Sequence, residues 1–393
     1  MRLDVCNGER LRAGMAFGAL VVGLVLGLFG PAQAAVGDRG LAQRLNAVFK
    51  RSALAAGNPG AQAVVMRNGR LVWSARRGIA KRPRERVRED TLFALGSFGK
   101  LMLASLALRK VEAGRLELDD PIARYVGDSV AGSGVVTSRM LLTHTAGYPD
   151  VYSAPETGPL FGEQYDPNRR WTFATLSAGI HDPVSPGAKW EYSNTGYIVL
   201  ARVLGAITDR PLERAFRAFV TAAGSPRPRD ERAVTMRRSR RAFRRIAHGY
   251  SVRDGVVHDN FEGADGIPTD LYGLPFGDGA FAGTALGAAE FLDALLVRGR
   301  LLRSRTVRRM LKRTPQSEAA GTSYGMGVER EVVAGRRWRG HLGSYAGFST
   351  LGFTDRKRGV SLVVVANREV EGQQLPAQRI WRALARAYTR ATS

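Results

Sequence analysis

The sequence predicts a mixed α+β fold: an antiparallel sheet built from both chain ends and flanked by helices, with a mainly helical lobe inserted between those ends. Three observations carry this expectation. Residues 61–74 read as a tight hairpin, residues 327–366 as short strands joined by tight turns, and residues 100–310 as helices and loops. The length of 393 residues, 44% hydrophobic and 24% charged, excludes disorder, collagen and coiled coil. A chain of this size can bury a core without disulfides or a structural metal.

Leu41 to Ala56 has helical spacing and stops at the breaker cluster Gly57-Asn58-Pro59-Gly60. Ala61–Arg67 and Arg70–Ser74 then flank Asn68-Gly69, a pair that accepts the positive φ angles of a type I′ turn. In the middle of the chain, Leu101–Ala113, Ser138–Leu142, Tyr197–Ile207, Leu212–Ala222 and Ala288–Val297 have helical periodicity. Towards the end, Gly327–Val333, Arg336–His341, Phe348–Phe353 and Gly359–Ala366 read as strands, with turns at Ala334-Gly335 and Asp355–Arg358. An antiparallel meander is the economical arrangement, covered on one face by an amphipathic helix, Pro376–Arg390. Residues 35–393 thus form one unit. Its sheet lobe covers about 35–99 and 311–393 and its helical lobe about 100–310, with a cleft between them suited to a ligand.

Residues 1–34 read as a secretory signal. Arg10 and Arg12 precede an uncharged stretch from Ala13 to Val36, and Ala32-Gln33-Ala34 offers a cleavage site after Ala34. The competing reading is an uncleaved inner-membrane anchor through residues 13–36, since that stretch is long enough to cross a bilayer. Either way the rest of the chain is expected outside the cytoplasm, periplasmic or secreted. Cys6 is the only cysteine, so the exported portion would be indifferent to redox state. The five histidines show no metal-ligand spacing, and neither a metal nor an organic cofactor is expected.

The net charge of +24 comes almost wholly from arginine, with only seven lysines in the chain. So uniform a bias points to a compositional habit rather than a binding footprint, and a nucleic-acid partner is disfavoured. The densest stretch, Arg227–Arg245, has nine arginines against Asp230 and Glu231, and Arg76–Arg88 adds more. Solvated loops are the plain reading of both; weak contact with an envelope polyanion is the alternative.

Three segments carry chemistry. Ser97 opens a helix that is apolar nearly all round, and Lys100, three residues on, shares its face. Burial would lower the lysine pKa and make the amine a base for the serine hydroxyl. A capping serine and a lysine reaching solvent would fit the same spacing. Tyr192-Ser193-Asn194 follows a Pro/Gly-rich approach to a helix; a phenol can relay a proton and an amide can hold a peptide-like substrate, although packing and capping would also explain the pair. Gly340 to Phe348 reads as a connection between strands, in which Gly343 would let a substrate backbone approach.

Taken in order, Ser97-Phe-Gly-Lys100, Tyr192-Ser-Asn194 and His341-Leu-Gly343 resemble the motifs of the penicillin-recognising serine enzymes. The nearest branch is that of class C β-lactamases, serine D-alanyl-D-alanine carboxypeptidases and their esterase relatives. Leu141-Leu-Thr-His-Thr-Ala-Gly147, Glu112–Pro121, Ala247-His-Gly-Tyr250 and Tyr324-Gly-Met-Gly327 match the same family, so the likeness covers nearly all of residues 40–370. It implies Ser97 as nucleophile, Lys100 as proton shuttle, Tyr192 as general base, and Asn194 contacting Lys100 and the substrate amide. It also implies His341, Gly343 and Ser344 at the substrate, and an oxyanion hole on the backbone N–H groups of Ser97 and Ser344. His144 is read as scaffold. The expected partner is a small-molecule or peptide-like acyl substrate, with the cell wall as one source. Leu342 stands where the family has a threonine, which favours an ester or neutral amide over a carboxylate-bearing substrate. The alternative is a slowly acylating or non-catalytic penicillin-binding receptor or scaffold.

Overall fold

The computed structural model describes residues 36–57, 59–161, 164, 166, 169, 171–222, 245–261, 278–279, 281–345, 347–370 and 372–392. The expected signal (1–34), and all of the Arg227–Arg245 stretch except Arg245, lie outside the described residues. Helix α1 (Val36–Ala55) leads into β1 (Ala61–Arg67) and β2 (Arg70–Arg77). Between these strands Asn68 and Gly69 have φ of 49° and 79°, as a type I′ turn requires. Short strands follow, β3 (Ile79–Lys81), β4 (Glu85–Arg86) and β5 (Phe93–Ala94), and then α2 (Phe98–Glu112), whose residues from Phe98 to Leu108 are all buried.

The helical part continues through α3 (Ala123–Val126), α4 (Ser138–Thr143), α5 (Phe173–Ser177), α6 (Asn194–Ile207) and α7 (Leu212–Ala222). It also holds β6 (Tyr250–Arg253) and β7 (Val256–Asp259), a hairpin that the sequence reading did not include. Its turn residues Asp254 and Gly255 have φ of 50° and 76°, the same turn chemistry as Asn68-Gly69. Strand β8 (Ala282–Gly283) pairs with β5 and precedes α8 (Ala285–Leu292). The predicted helix to Val297 widens after Leu292 into a π turn, Asp293–Val297. Asp293 is buried there, accepting the Gly69 N–H at 2.9 Å and pairing with Arg298, so this turn anchors the first hairpin.

After α9 (Ser304–Met310) and α10 (Pro315–Ala319) come β9 (Glu329–Val333), β10 (Arg336–Tyr345), β11 (Phe348–Asp355), β12 (Val360–Ala366), β13 (Arg368–Val370) and α11 (Pro376–Ala391). The main sheet has the order β2-β1-β12-β11-β10-β9, every pair antiparallel. Strand β13 instead joins β6 in parallel. The two chain ends meet where β1 lies against β12, from Ala61↔Ala366 to Arg67↔Val360.

Strands β11 and β12 are buried throughout because helices cover both sheet faces. Alternate side chains point to opposite faces. Val65, Leu362 and Val364 join Phe49 and Trp381 of α1 and α11, whereas Val64, Val363 and Val365 join α2, α8 and the helical part. The indole N–H of Trp381 donates to the Leu362 carbonyl at 2.9 Å, which ties α11 to the sheet.

Candidate functional site

Ser97 stands at the start of α2, in a turn pressed against β10. Gly96 has φ of 53°, and a Cβ there would lie 2.8 to 3.0 Å from the Ser344 backbone, so only glycine allows this contact. Ser97 occupies the capping position of α2 but makes no side-chain cap bond. Its hydroxyl instead accepts from Lys100 Nζ at 3.0 Å. The same ammonium donates to Asn194 Oδ1 at 2.7 Å and to the Asp278 carbonyl at 3.0 Å. Lys100 is 0% exposed, so it does not reach solvent. Burial brings its pKa down to about 8, against the opposing pull of Asp278, Asp150 and Glu329.

Tyr192 and Asn194 approach from the start of α6. Ser193 is the cap, its hydroxyl accepting the Gly196 N–H at 3.2 Å. Asn194 donates through Nδ2 to Asp150 Oδ2 at 2.8 Å, which turns its Oδ1 towards Lys100. The Tyr192 phenol faces Ser97, which opposes the rise of its pKa, and Lys100 Nζ lies 5.0 Å from the ring centroid. Burial pushes this phenol well above its ordinary pKa, so it is protonated at neutral pH. The general-base role that the resemblance implies for Tyr192 would require this phenol to give up its proton against that electrostatic setting; the lowest-lying base in contact with the serine is the Lys100 amine.

The third segment departs from expectation. His341 to Ser344 lie within strand β10, not in a connection, and the turn falls after Tyr345. His341 is 1% exposed, so its ring does not face an open cleft. Its Nε2 accepts from the Tyr324 hydroxyl at 2.9 Å, its Nδ1 faces the Leu342 carbonyl and Glu329, and burial lowers its pKa to about 3, leaving it neutral. Gly343 is needed by the chain itself, because a Cβ there would come within 2.0 Å of the Leu95 carbonyl. The freedom read as room for substrate is occupied by the turn that carries Ser97. Leu342 packs its side chain with the cluster beneath α1 and α11.

Strand β9 pairs with β10 only as far as Gly340, and among the described residues no strand pairs with that edge of β10 from His341 onward. Ladder amides alternate in direction, and those of Leu342 and Ser344 turn away from β11. The Leu342 N–H meets Glu329 Oε2 at 3.3 Å, whereas Ser344 is exposed beside Gly96 and Ser97. Among the described residues the Ser97 N–H, at the start of α2, pairs with no backbone carbonyl. Two backbone donors therefore stand beside the serine, an arrangement that can stabilise an oxyanion.

Asp150, Asp278, Glu329 and Tyr324 were not anticipated as neighbours of this site. Asp150 is 44 residues from Asn194 and Asp278 is 178 from Lys100, and no local spacing signals either contact. Among the described residues no group of three His, Cys, Asp or Glu side chains could hold a metal ion. An open cavity of about 330 Å³ lies elsewhere, between α2 and α7, lined by residues such as Arg109, Lys110 and Phe219.

Comparison with known proteins adds the family. A family model described as Beta-lactamase matches residues 41–387. Esterase EstB of Burkholderia gladioli is 34% identical over 198 residues, 46% of this chain and 49% of the relative. The N-acetylmuramyl-L-alanine amidase of Bacillus subtilis (strain 168) is 28% identical over 178 residues, 41% of this chain and 40% of the relative. These alignments span about half the length of the curated relatives, or less. Among solved structures, a D-amino acid amidase from Ochrobactrum anthropi SV3, complexed with D-phenylalanine, superposes with a TM-score of 0.72 at 21% identity. The match covers 90% of this chain and 99% of that one, and at this identity it speaks for the fold.

Proposed function

The chain belongs to the beta-lactamase family, and from that premise we propose that it is a serine hydrolase forming an acyl-enzyme at Ser97 on an ester, an amide or a D-amino-acid peptide. The observation that carries the proposal is the Lys100 amine, 3.0 Å from the Ser97 hydroxyl and oriented by Asn194. In its neutral form Lys100 takes the Ser97 proton as Oγ bonds to the acyl carbon. The oxyanion is held by the N–H groups of Ser97 and Ser344. Tyr192, protonated at rest, passes a proton to the leaving group as the acyl bond breaks and regains the one that Lys100 took from Ser97, which returns Lys100 to its neutral form. Water then repeats the sequence on the acyl-enzyme and frees the acid.

The substrate is neutral beside the scissile bond. Asp278, Asp150 and Glu329 all act on Lys100; burial lifts the Glu329 pKa to about 8 and leaves it largely protonated at neutral pH, so the like charge that a substrate carboxylate would meet comes from the two aspartates. Esters and amides, D-amino-acid amides among them, are therefore preferred to penicillins and D-alanyl-D-alanine peptides. The esterase name of the 34% identical relative supports the same order. We also place the protein outside the cytoplasm, on the charge and cleavage pattern of residues 1–34.

Intact-protein mass spectrometry after exposure to a fluorophosphonate and, separately, to a penicillin tests the proposal, with Ser97→Ala alongside. A fluorophosphonate adduct confined to wild type, with turnover of a neutral ester, is the expected result. Labelling without turnover of any ester or amide would indicate a receptor, and no labelling of folded protein would indicate a scaffold.

A further inference from the structure

We infer that His144 is a positioning residue that sets the place of Tyr192 by gripping its loop on both sides. The inference rests on the reading of Tyr192 as the proton relay, and concerns how that relay is held. His144 ends α4 in the left-handed conformation, with φ of 57° and ψ of 40°, which for a residue other than glycine persists only where the surroundings enforce it. Its carbonyl accepts the N–H of Glu191 at 2.9 Å, and its Nδ1 accepts the N–H of Ser193 at 3.1 Å. These are the residues immediately before and after Tyr192. The imidazole also lies against the Tyr192 ring, with centroids 4.4 Å apart. One residue thus restrains the relay through its main chain, its ring nitrogen and its ring face.

The grip is continuous with its surroundings. Thr145 O accepts Gly187 N–H at 2.7 Å, Gly147 O accepts Val184 N–H at 2.8 Å, and the Ser193 hydroxyl donates to Tyr148 O at 3.1 Å. Residues 144–148 therefore serve as a template along which residues 184–193 are laid. His144 is 2% exposed and faces Tyr197 and Tyr324 as well as Tyr192. Burial, and then Lys100, hold its pKa well below the ordinary imidazole value, so it stays neutral and Nδ1 remains an acceptor. It touches neither the serine nor the lysine in any hydrogen bond described, so its influence on the chemistry runs through Tyr192.

The test is a double-mutant cycle on the full chain, with a neutral ester as substrate. His144→Leu removes the acceptor, and we expect kcat to fall roughly 10²-fold with little change in KM, the pattern of a displaced catalytic group. His144→Asn keeps a side-chain acceptor close to Nδ1 and tolerates the left-handed backbone, and is expected to recover at least about tenfold of that loss. In a Tyr192→Phe background, His144→Leu should cost little more, because the group it positions has gone. Fully additive losses, or equal activity in the Leu and Asn variants, would overturn the inference. If His144→Leu does not fold, His144→Gln takes its place, since it moves the acceptor to the Nε2 position and away from Ser193. Fluorophosphonate labelling of wild type separates the two failures: an unreactive wild type removes the hydrolase reading, whereas a reactive one with an additive cycle removes only the role of His144.

Discussion

Lys100 has the properties of a base only because of where α2 puts it. The motif spacing places it beside Ser97, but the drop of its pKa to about 8 comes from burial, and three carboxylates limit that drop. For a base that works deprotonated, kcat/KM should rise with pH and level off above an apparent pKa near 8. Asp150 raises the Lys100 pKa, so Asp150→Asn is expected to shift this limb to lower pH, by roughly 0.5–1 unit. It should also lower kcat, since Asn194 loses a charged partner for its Nδ2. A pH–rate profile of both proteins on a neutral ester decides this, and a limb that moves upward would contradict the assignment. Ser97, Lys100, Tyr192 and Asn194 were readable in the chain because each lies in a short motif. Asp150 and Asp278 were not, because a carboxylate far along the chain announces no partner. The packing of His341 and Gly343 was unreadable for a related reason. Sequence shows a histidine and a glycine, but not that Tyr324 claims the one and Leu95 crowds the other.

Among the elements, α2 shows a conflict between local preference and packing. Gly99 lies in its first turn, where helix propensity alone would favour alanine by about 1 kcal/mol. A Cβ there would come within 2.5 Å of the Phe281 ring in an interior with no slack. Overpacking of this kind costs about 1–3 kcal/mol, so Gly99→Ala is expected to lower stability by a net of about 1 kcal/mol. A urea midpoint shifted downward with an unchanged slope would bear this out; an upward shift would show that Phe281 yields freely. The glycine drew no structural reading from sequence because the reason for it is 182 residues away. The β6–β7 hairpin is the opposite case. Its Asp254-Gly255 turn was as legible as Asn68-Gly69, yet four-residue strands amid helical periodicity gave too little alternation to stand out.

Over the whole molecule, the sheet and the helical part share one continuous apolar core. Val64, Val363 and Val365 of the sheet belong to the same buried cluster as Leu101, Leu141 and Val203 of helices α2, α4 and α6. Unfolding is therefore expected as a single cooperative transition, despite the two lobes. Coincident denaturation curves from far-ultraviolet circular dichroism and tryptophan fluorescence would agree with that, since Trp338 and Trp381 report the sheet face under α11. Separate transitions would mean that the inserted helices fold by themselves. The pairing of the two chain ends in one sheet was foreseen from hydrophobic alternation and turn residues, which are local and survive in a linear string. So was the type of each long helix, while Ser97, Lys100, Tyr192 and Asn194 stood out through their short motifs. What only the folded chain decided is the set of distances between segments: Gly96 upon Ser344, Asn194 upon Asp150, His144 around Tyr192. Those contacts, and the burial that moves the Lys100 and Tyr192 pKa values in opposite directions, arise when distant segments are excluded from water together, a condition that no local pattern encodes.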